Sequence, residues 1–368
     1  MNVISAPKAR KAEPDRRGSM KNSIKVLGIL ATLVAASFAF ATKPYPAGII
    51  ALFQVDRVED PIGDLSKKDA WMNPQVDGIR LRTFWNVIQA QDATYNWSTI
   101  DQALSLANQY GKKVGVSIAA GTTTPQWVYD SGAKRYVLAD GSGDSMPLPW
   151  DAAFQNKWLP FIQAFGARYD GNPALAYVCP TGFMQVCVMY LAKTPADDSN
   201  LTALAVQAGY TDSRAAFIPA AEKIIAAFMT AFPTTPVILN PAIPFPTGGQ
   251  LAQDTVRNWG IATYPGRFGV MYPSLRATPP PHAIPPPPLQ YPKGFQMICV
   301  ASDVQRLYGY PNPPYNALPA PAPLQDALEN AVSLRGQYVE VYGADINLPL
   351  DQTVLATEGA KLKGNLPP

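Results

Sequence analysis

Carboxylates that could act as a general acid paired with a base or nucleophile are scarce in this chain. Beyond residue 41 it has five glutamates, Glu59, Glu222, Glu329, Glu340 and Glu358. Glu222, Glu329 and Glu358 fall in helical patterns and read as solvated, and Glu59 falls in a loop. Glu340 differs, because it sits inside the apolar run Gln337-Tyr338-Val339-Glu340-Val341-Tyr342. Strand alternation puts Val339 and Val341 on one face and Tyr338, Glu340 and Tyr342 on the other. A carboxylate on a buried face needs partners. Arg80 and Arg82, which share one face of the run Gly78 to Trp85, can supply them. Glu340 is thus a candidate acid or base. A structural Glu–Arg network fits the same pattern.

Aspartates provide the second carboxylate. Asp56, Asp303 and Asp345 each follow an apolar run. Asp56 and Asp303 are the candidate catalytic partners of Glu340. A helix N-cap or loop role is the competing expectation for Asp303 and Asp345. Aromatics gather at the ends of the same runs: Trp85, Trp127, Trp150, Tyr272 and Tyr342. Rings beside polar turn residues stack on small ligands, and Asn240 and Gln296 add carboxamides there. With Arg80 and Arg82, these residues form the expected binding set.

The only histidine, His282, lies in a proline-rich segment. That argues against a Ser-His-Asp triad, a Cys-His pair or a histidine-rich metal site. No metal-ligand spacing and no Gly-rich phosphate loop opening a helix is present, so no cofactor is expected. Of Cys179, Cys187 and Cys299, the first two flank one strand-end loop. They could close a disulfide after export, or stay buried as small apolar residues.

The elements that must position these residues follow from periodicity. Eight short apolar runs read as buried strands. They are Gly48 to Gln54, Gly78 to Trp85, Lys113 to Ala119, Leu175 to Cys179, Val237 to Asn240, Phe268 to Tyr272, Gly294 to Val300 and Tyr338 to Tyr342. Amphipathic helical patterns span Thr99 to Tyr110, Asp151 to Tyr169, Asp212 to Phe232, Leu324 to Leu334 and Leu350 to Leu362. Helices alternating with near-continuous apolar strands imply a parallel sheet. The expected fold is α/β, a single-domain (β/α)8 TIM barrel over residues 42–368, with a doubly wound open sheet as runner-up. In such a barrel Glu340 would face inward, near the C-terminal mouth where barrel sites sit. Proline-rich stretches, Thr278 to Pro292 and Pro311 to Pro323, flank the seventh strand as long loops or lids.

Residues 1–41 read as a leader and signal peptide. Lys21 and Lys25 precede the apolar run Val26 to Phe40, which ends in Ala39-Phe40-Ala41. Cleavage after Ala41 is expected, with export to the periplasm or beyond. The run is short for a membrane anchor, which takes about 20 residues. Met20 offers a second start. The leader holds seven Lys+Arg and two Asp+Glu, so removing it takes the net charge from +3 to −2. The remaining chain carries no basic signature for nucleic acid or an anionic membrane.

Several segments together resemble the (β/α)8 glycoside hydrolases, especially family 42-like β-galactosidase barrels and the related family 5 enzymes. They are the Gly78 to Trp85 strand, Tyr95-Asn96-Trp97, Tyr110-Gly111-Lys112-Lys113-Val114, Thr124-Pro125-Gln126-Trp127, Pro149-Trp150-Asp151 and Arg168-Tyr169-Asp170-Gly171-Asn172-Pro173. The likeness covers roughly residues 48–192 well and the rest as strand rhythm. It implies an oligosaccharide or polysaccharide partner, with one catalytic Glu at the end of strand four and another at the end of strand seven. This chain departs at both places. After strand four it reads Cys179-Pro180-Thr181-Gly182 with no Asn-Glu pair, and strand seven carries Gln296. The first expectation is a secreted glycosidase with displaced machinery, Glu340 with Asp56 or Asp303. A barrel that binds carbohydrate without turnover is the alternative, and a secreted barrel with another ligand is the third.

Overall fold

The computed structural model describes residues 42–278, 292–309 and 319–366. The expected leader, His282 and most of both proline-rich stretches lie outside the described residues.

In chain order the strands are β1 (Gly48–Val55), β2 (Gly78–Phe84), β3 (Lys113–Ala119), β4 (Arg135–Val137), β5 (Ser145–Pro147), β6 (Leu175–Cys179), β7 (Val237–Leu239), β8 (Phe268–Leu275), β9 (Lys293–Met297) and β10 (Tyr338–Tyr342). Eight of them close a parallel barrel in the order β1-β10-β9-β8-β7-β6-β3-β2. All eight coincide with the expected strands. The open-sheet runner-up is excluded by the β1–β10 pairing, which closes the ring. β4 and β5 form a separate antiparallel hairpin.

The helices are α1 (Trp85–Ile88), α2 (Ser98–Tyr110), α3 (Gln126–Asp130), α4 (Ala152–Tyr169), α5 (Pro195–Gln207), α6 (Ser213–Ala231), α7 (Gly249–Thr263), α8 (Val304–Tyr308), α9 (Ala322–Ser333), α10 (Gly343–Ile346) and α11 (Gln352–Lys363). Their ends follow local chemistry. Asp151 caps α4 by accepting from Ala153 N at 2.9 Å, and Asp212 caps α6 through Ala215 N at 2.9 Å. Gly111 ends α2 at φ 66°, a left-handed conformation that glycine adopts without steric cost. α4 and α6 pack through aromatic rings, with Phe165 4.9 Å from Phe232 and Trp158 6.4 Å from Phe228. Each such buried ring stabilises the fold by roughly 1.5–3 kcal/mol.

Each barrel strand is buried on both faces. Outward residues, Ile49, Ile79, Val114, Val178, Val270 and Val339 among them, join the layer under the helices. Inward residues fill the barrel, and two tyrosines dominate them: the rings of Tyr177 and Tyr338 lie 5.3 Å apart. Glycines on neighbouring strands make room for both. A Cβ at Gly115 would fall 2.1 Å from the Tyr177 ring, and one at Gly294 would fall 2.1 Å from the Tyr338 ring.

Candidate functional site at the barrel mouth

Register and alternation decide which side chains reach the barrel interior. Ile50, Glu340 and Gln296 form one row across β1, β10 and β9, and Arg80 pairs with Leu52 and Gly115. Glu340 points inward, with Val339 and Val341 under the helices. It lies deep in the barrel rather than at the mouth, at 0 % exposure. Its Oε1 accepts from Arg80 Nη1 at 2.8 Å and from Tyr177 Oη at 2.6 Å. Burial, then the Glu340 carboxylate, pushes the Tyr177 phenol well above its ordinary value, which keeps it a protonated donor at neutral pH. The three side chains form a buried polar cluster in a low-dielectric core, in which Glu340 Oε2 and Arg80 Nε and Nη2 have no partner among the described residues.

Above this cluster the ends of β2 and β3 are covered by the chain that follows β6. Cys187 packs on Phe84 and Ala119, and its Sγ lies 3.4 Å from Ser117 Oγ. Asn240, after β7, is buried. Its Nδ2 donates to Cys187 O at 2.9 Å, and its backbone carbonyl accepts from Met189 N at 3.1 Å, while Oδ1 has no partner among the described residues. This amide fastens the covering loop.

On the side of β1 and β10 the mouth opens into a cleft of about 460 Å³. Gln54, Lys67, Lys68, Arg82 and Asn347 are among its polar lining, and Phe53 and Tyr342 are its aromatic residues. Asp69 is the carboxylate among the lining residues, and it is exposed. Arg82 Nη2 donates to Phe53 O at 3.0 Å, while Nε has no partner among the described residues. Burial lowers the Arg82 guanidinium from its ordinary value, though not enough to deprotonate a group of this type.

Comparisons with solved structures bear on the fold. The chain is similar to the β-galactosidase of the psychrophilic Marinomonas ef1 at 12% identity and TM-score 0.50, covering 86% of this chain and 59% of that one. The cold-adapted β-galactosidase of Rahnella sp. R3 matches at 12% identity and TM-score 0.50, with 88% of this chain and 58% of that one covered. A third structure, described as a glycoside hydrolase, matches at 12% identity and TM-score 0.50 over 88% of this chain and 100% of that one. The likeness is one of fold, a closed (β/α)8 barrel. The chain spans less than two thirds of the length of the two β-galactosidases. No protein-family model matches it, and no curated protein does.

At the two positions where the resemblance implies catalytic glutamates, this barrel has other residues. β6, the fourth barrel strand, ends at Cys179, and β9, the seventh, carries half-buried Gln296. The other expected carboxylates do not join Glu340. Asp56, 3 % exposed, accepts from Ile62 N at 3.1 Å and from Thr83 Oγ1 at 3.3 Å, pinning the loop after β1. Asp303 caps α8 by accepting from Arg306 N at 3.3 Å. Asp345 is buried, accepts from Ala301 N at 3.0 Å, and is pushed up to about 6 by burial.

The expected aromatic platform is also redistributed. Trp85 is 0 % exposed, donates from Nε1 to Gln89 Oε1 at 2.9 Å, and sits 4.7 Å from Trp158, so it is a core ring. Trp127 is half-buried against it, with Nε1 donating to Gln89 O at 3.0 Å. Trp150 belongs to the core beneath the helices. Tyr272 faces outward and stacks on Phe295 at 5.8 Å, away from the mouth, because it occupies the opposite alternation to Met271. Of the expected set, Arg82 and Tyr342 meet in the cleft. Lys67, Lys68, Gln54 and Asn347 were not anticipated there. The consecutive lysines after the first strand were the signal that could have found them.

The Cys179–Cys187 bridge is not formed. All three cysteines are buried free thiols. Burial pushes the Cys179 thiol up to about 12, so it has no nucleophilic character at neutral pH. Among the described residues no group of three or more His, Cys, Asp or Glu is placed to hold a metal ion, and no helix is long and apolar enough to cross a membrane.

Proposed function

We propose that this protein binds an oligosaccharide or polysaccharide at the mouth of a glycoside-hydrolase-type barrel without hydrolysing it. One observation carries the reading. The inward carboxylate of the barrel, Glu340, is wholly buried and already engaged by Arg80 and Tyr177. Glycoside hydrolysis needs two carboxyl groups flanking the bond, roughly 5–9.5 Å apart. Here Asp56 pins a loop and Asp303 caps a helix, while the strand-four and strand-seven ends carry Cys179 and Gln296.

The cleft nevertheless has the means to hold a sugar. Tyr342 presents a half-buried ring on which an apolar sugar face can stack. Gln54 and Asn347 bring carboxamides that both donate to and accept from hydroxyls. The composition of residues 21–41 supports export, which would place the protein where polysaccharides occur.

Calorimetric titration of the purified protein with plant and microbial oligosaccharides tests the reading. Saturable binding that Tyr342→Ala removes, in a variant that melts like the parent, is the expected result. No binding across the panel would overturn it.

A further inference from the structure

We propose that the cleft recognises an acidic saccharide, with Arg82 taking the sugar carboxylate and Lys67 and Lys68 completing a cationic rim. The inference deepens the reading above and rests on it.

The charge balance of the barrel carries it. Two guanidiniums, Arg80 and Arg82, occupy the inward face of β2. One carboxylate, Glu340, faces them, and its salt bridge goes to Arg80 at 2.8 Å. Among the described residues no carboxylate lies within salt-bridge distance of Arg82, Glu340 acts on it only through space, and its protein hydrogen bond goes to the neutral carbonyl of Phe53. An incompletely paired cation that lines a concave surface costs desolvation energy until an anion meets it. Its planar fork matches a carboxylate with two parallel hydrogen bonds. The rest of the lining has the same sign. Lys67 and Lys68 stand against the single carboxylate of Asp69, and the Lys67 contact to Asp64 is a loose 3.9 Å between exposed groups. A neutral sugar would leave this charge unanswered. A uronate residue stacked on Tyr342 would answer it and still use the carboxamides of Gln54 and Asn347.

The test is calorimetric titration at low ionic strength with uronic-acid trisaccharides (galacturonate, glucuronate and mannuronate). Matching neutral trisaccharides and sodium sulfate are run beside them. At least one acidic trisaccharide should bind tighter than its neutral counterpart. Arg82→Gln should weaken that binding about 10- to 100-fold, and Arg82→Lys less, since Lys keeps the charge but loses the fork. Raising the salt should weaken binding further. Equal affinity for acidic and neutral sugars, or an unchanged affinity in Arg82→Gln, would overturn the acidic assignment and leave sugar binding standing. Sulfate binding as tightly as the acidic sugars, with no saccharide preference, would overturn both readings. So would the absence of any saccharide binding.

Discussion

Arg80 and Glu340 hold each other inside the barrel at 2.8 Å, across the seam where β2 and β10 flank β1, with neither side chain reaching solvent. Tyr177 adds its hydroxyl to the same carboxylate oxygen at 2.6 Å. The residue that sequence patterning singles out as a candidate acid or base is therefore part of the packed interior.

Glu340→Gln should lower stability by about 3–5 kcal/mol, because it leaves Arg80 buried and uncompensated. Replacing both residues, as in Arg80→Met with Glu340→Leu, should cost less than the sum of the single changes. Urea unfolding of the four proteins gives the coupling. Additive losses would mean that the pair is not energetically joined.

Trp85→Ala should cost about 3–5 kcal/mol of stability by opening a cavity beside Trp158 and Phe161. Tyr342→Ala, at the half-buried cleft ring, should cost little stability and remove saccharide binding. Thermal melts and titrations of the two variants distinguish a core ring from a binding ring.

Gly115→Ala should destabilise by roughly 1–3 kcal/mol or more through overpacking, since its Cβ would meet the Tyr177 ring at 2.1 Å. Tyr177→Leu in the same chain should recover part of that loss. Denaturant midpoints provide the measurement, and an unaffected Gly115→Ala would contradict the packing described.

Asp345 gives a pH dependence with a definite sign. Its carboxyl is raised from 3.8 to about 6 by burial, so the folded state binds the proton more tightly than the unfolded state. The stability it contributes is full below about pH 4 and is lost as pH rises through about 6. Asp345→Asn, which can keep the bond from Ala301 N, should match the parent near pH 4. Above pH 7 it should exceed the parent by about 2–3 kcal/mol. Unfolding curves across that range check it, and a constant difference would contradict it.

The fold was legible because each barrel strand carries its own signal. Both faces are buried, so apolar runs such as Val114 to Ile118 stand out against polar turns, and Val339 and Val341 betray the inward direction of Glu340. Six helices carry no such signal: the short α1, α3, α8 and α10, and the longer α5 and α7. α5 (Pro195–Gln207) mixes Asp197, Asp198 and Asn200 with small residues, and α7 opens on glycine and carries Asp254, Arg257 and Asn258. The site was less legible, because alternation gives a direction and not a depth. Nothing local tells that Glu340 lies below the mouth, that Trp85 is sealed under α4, or that Tyr272 falls on the outer face. The cleft joins β1, β10 and the Lys67-Lys68 turn across most of the chain length. Such a meeting follows from barrel closure, which no local pattern records.

Release of sugar in the presence of the protein separates a binding barrel from a hydrolase. The purified protein, beside Glu340→Gln, would be incubated with aryl glycosides and with plant and microbial polysaccharides, and new reducing ends counted. A binding barrel without a carboxylate pair predicts no release by either protein from substrates that the parent binds. Release by the parent that disappears in a folded Glu340→Gln would contradict it, and would make the buried carboxylate the centre of a working glycosidase.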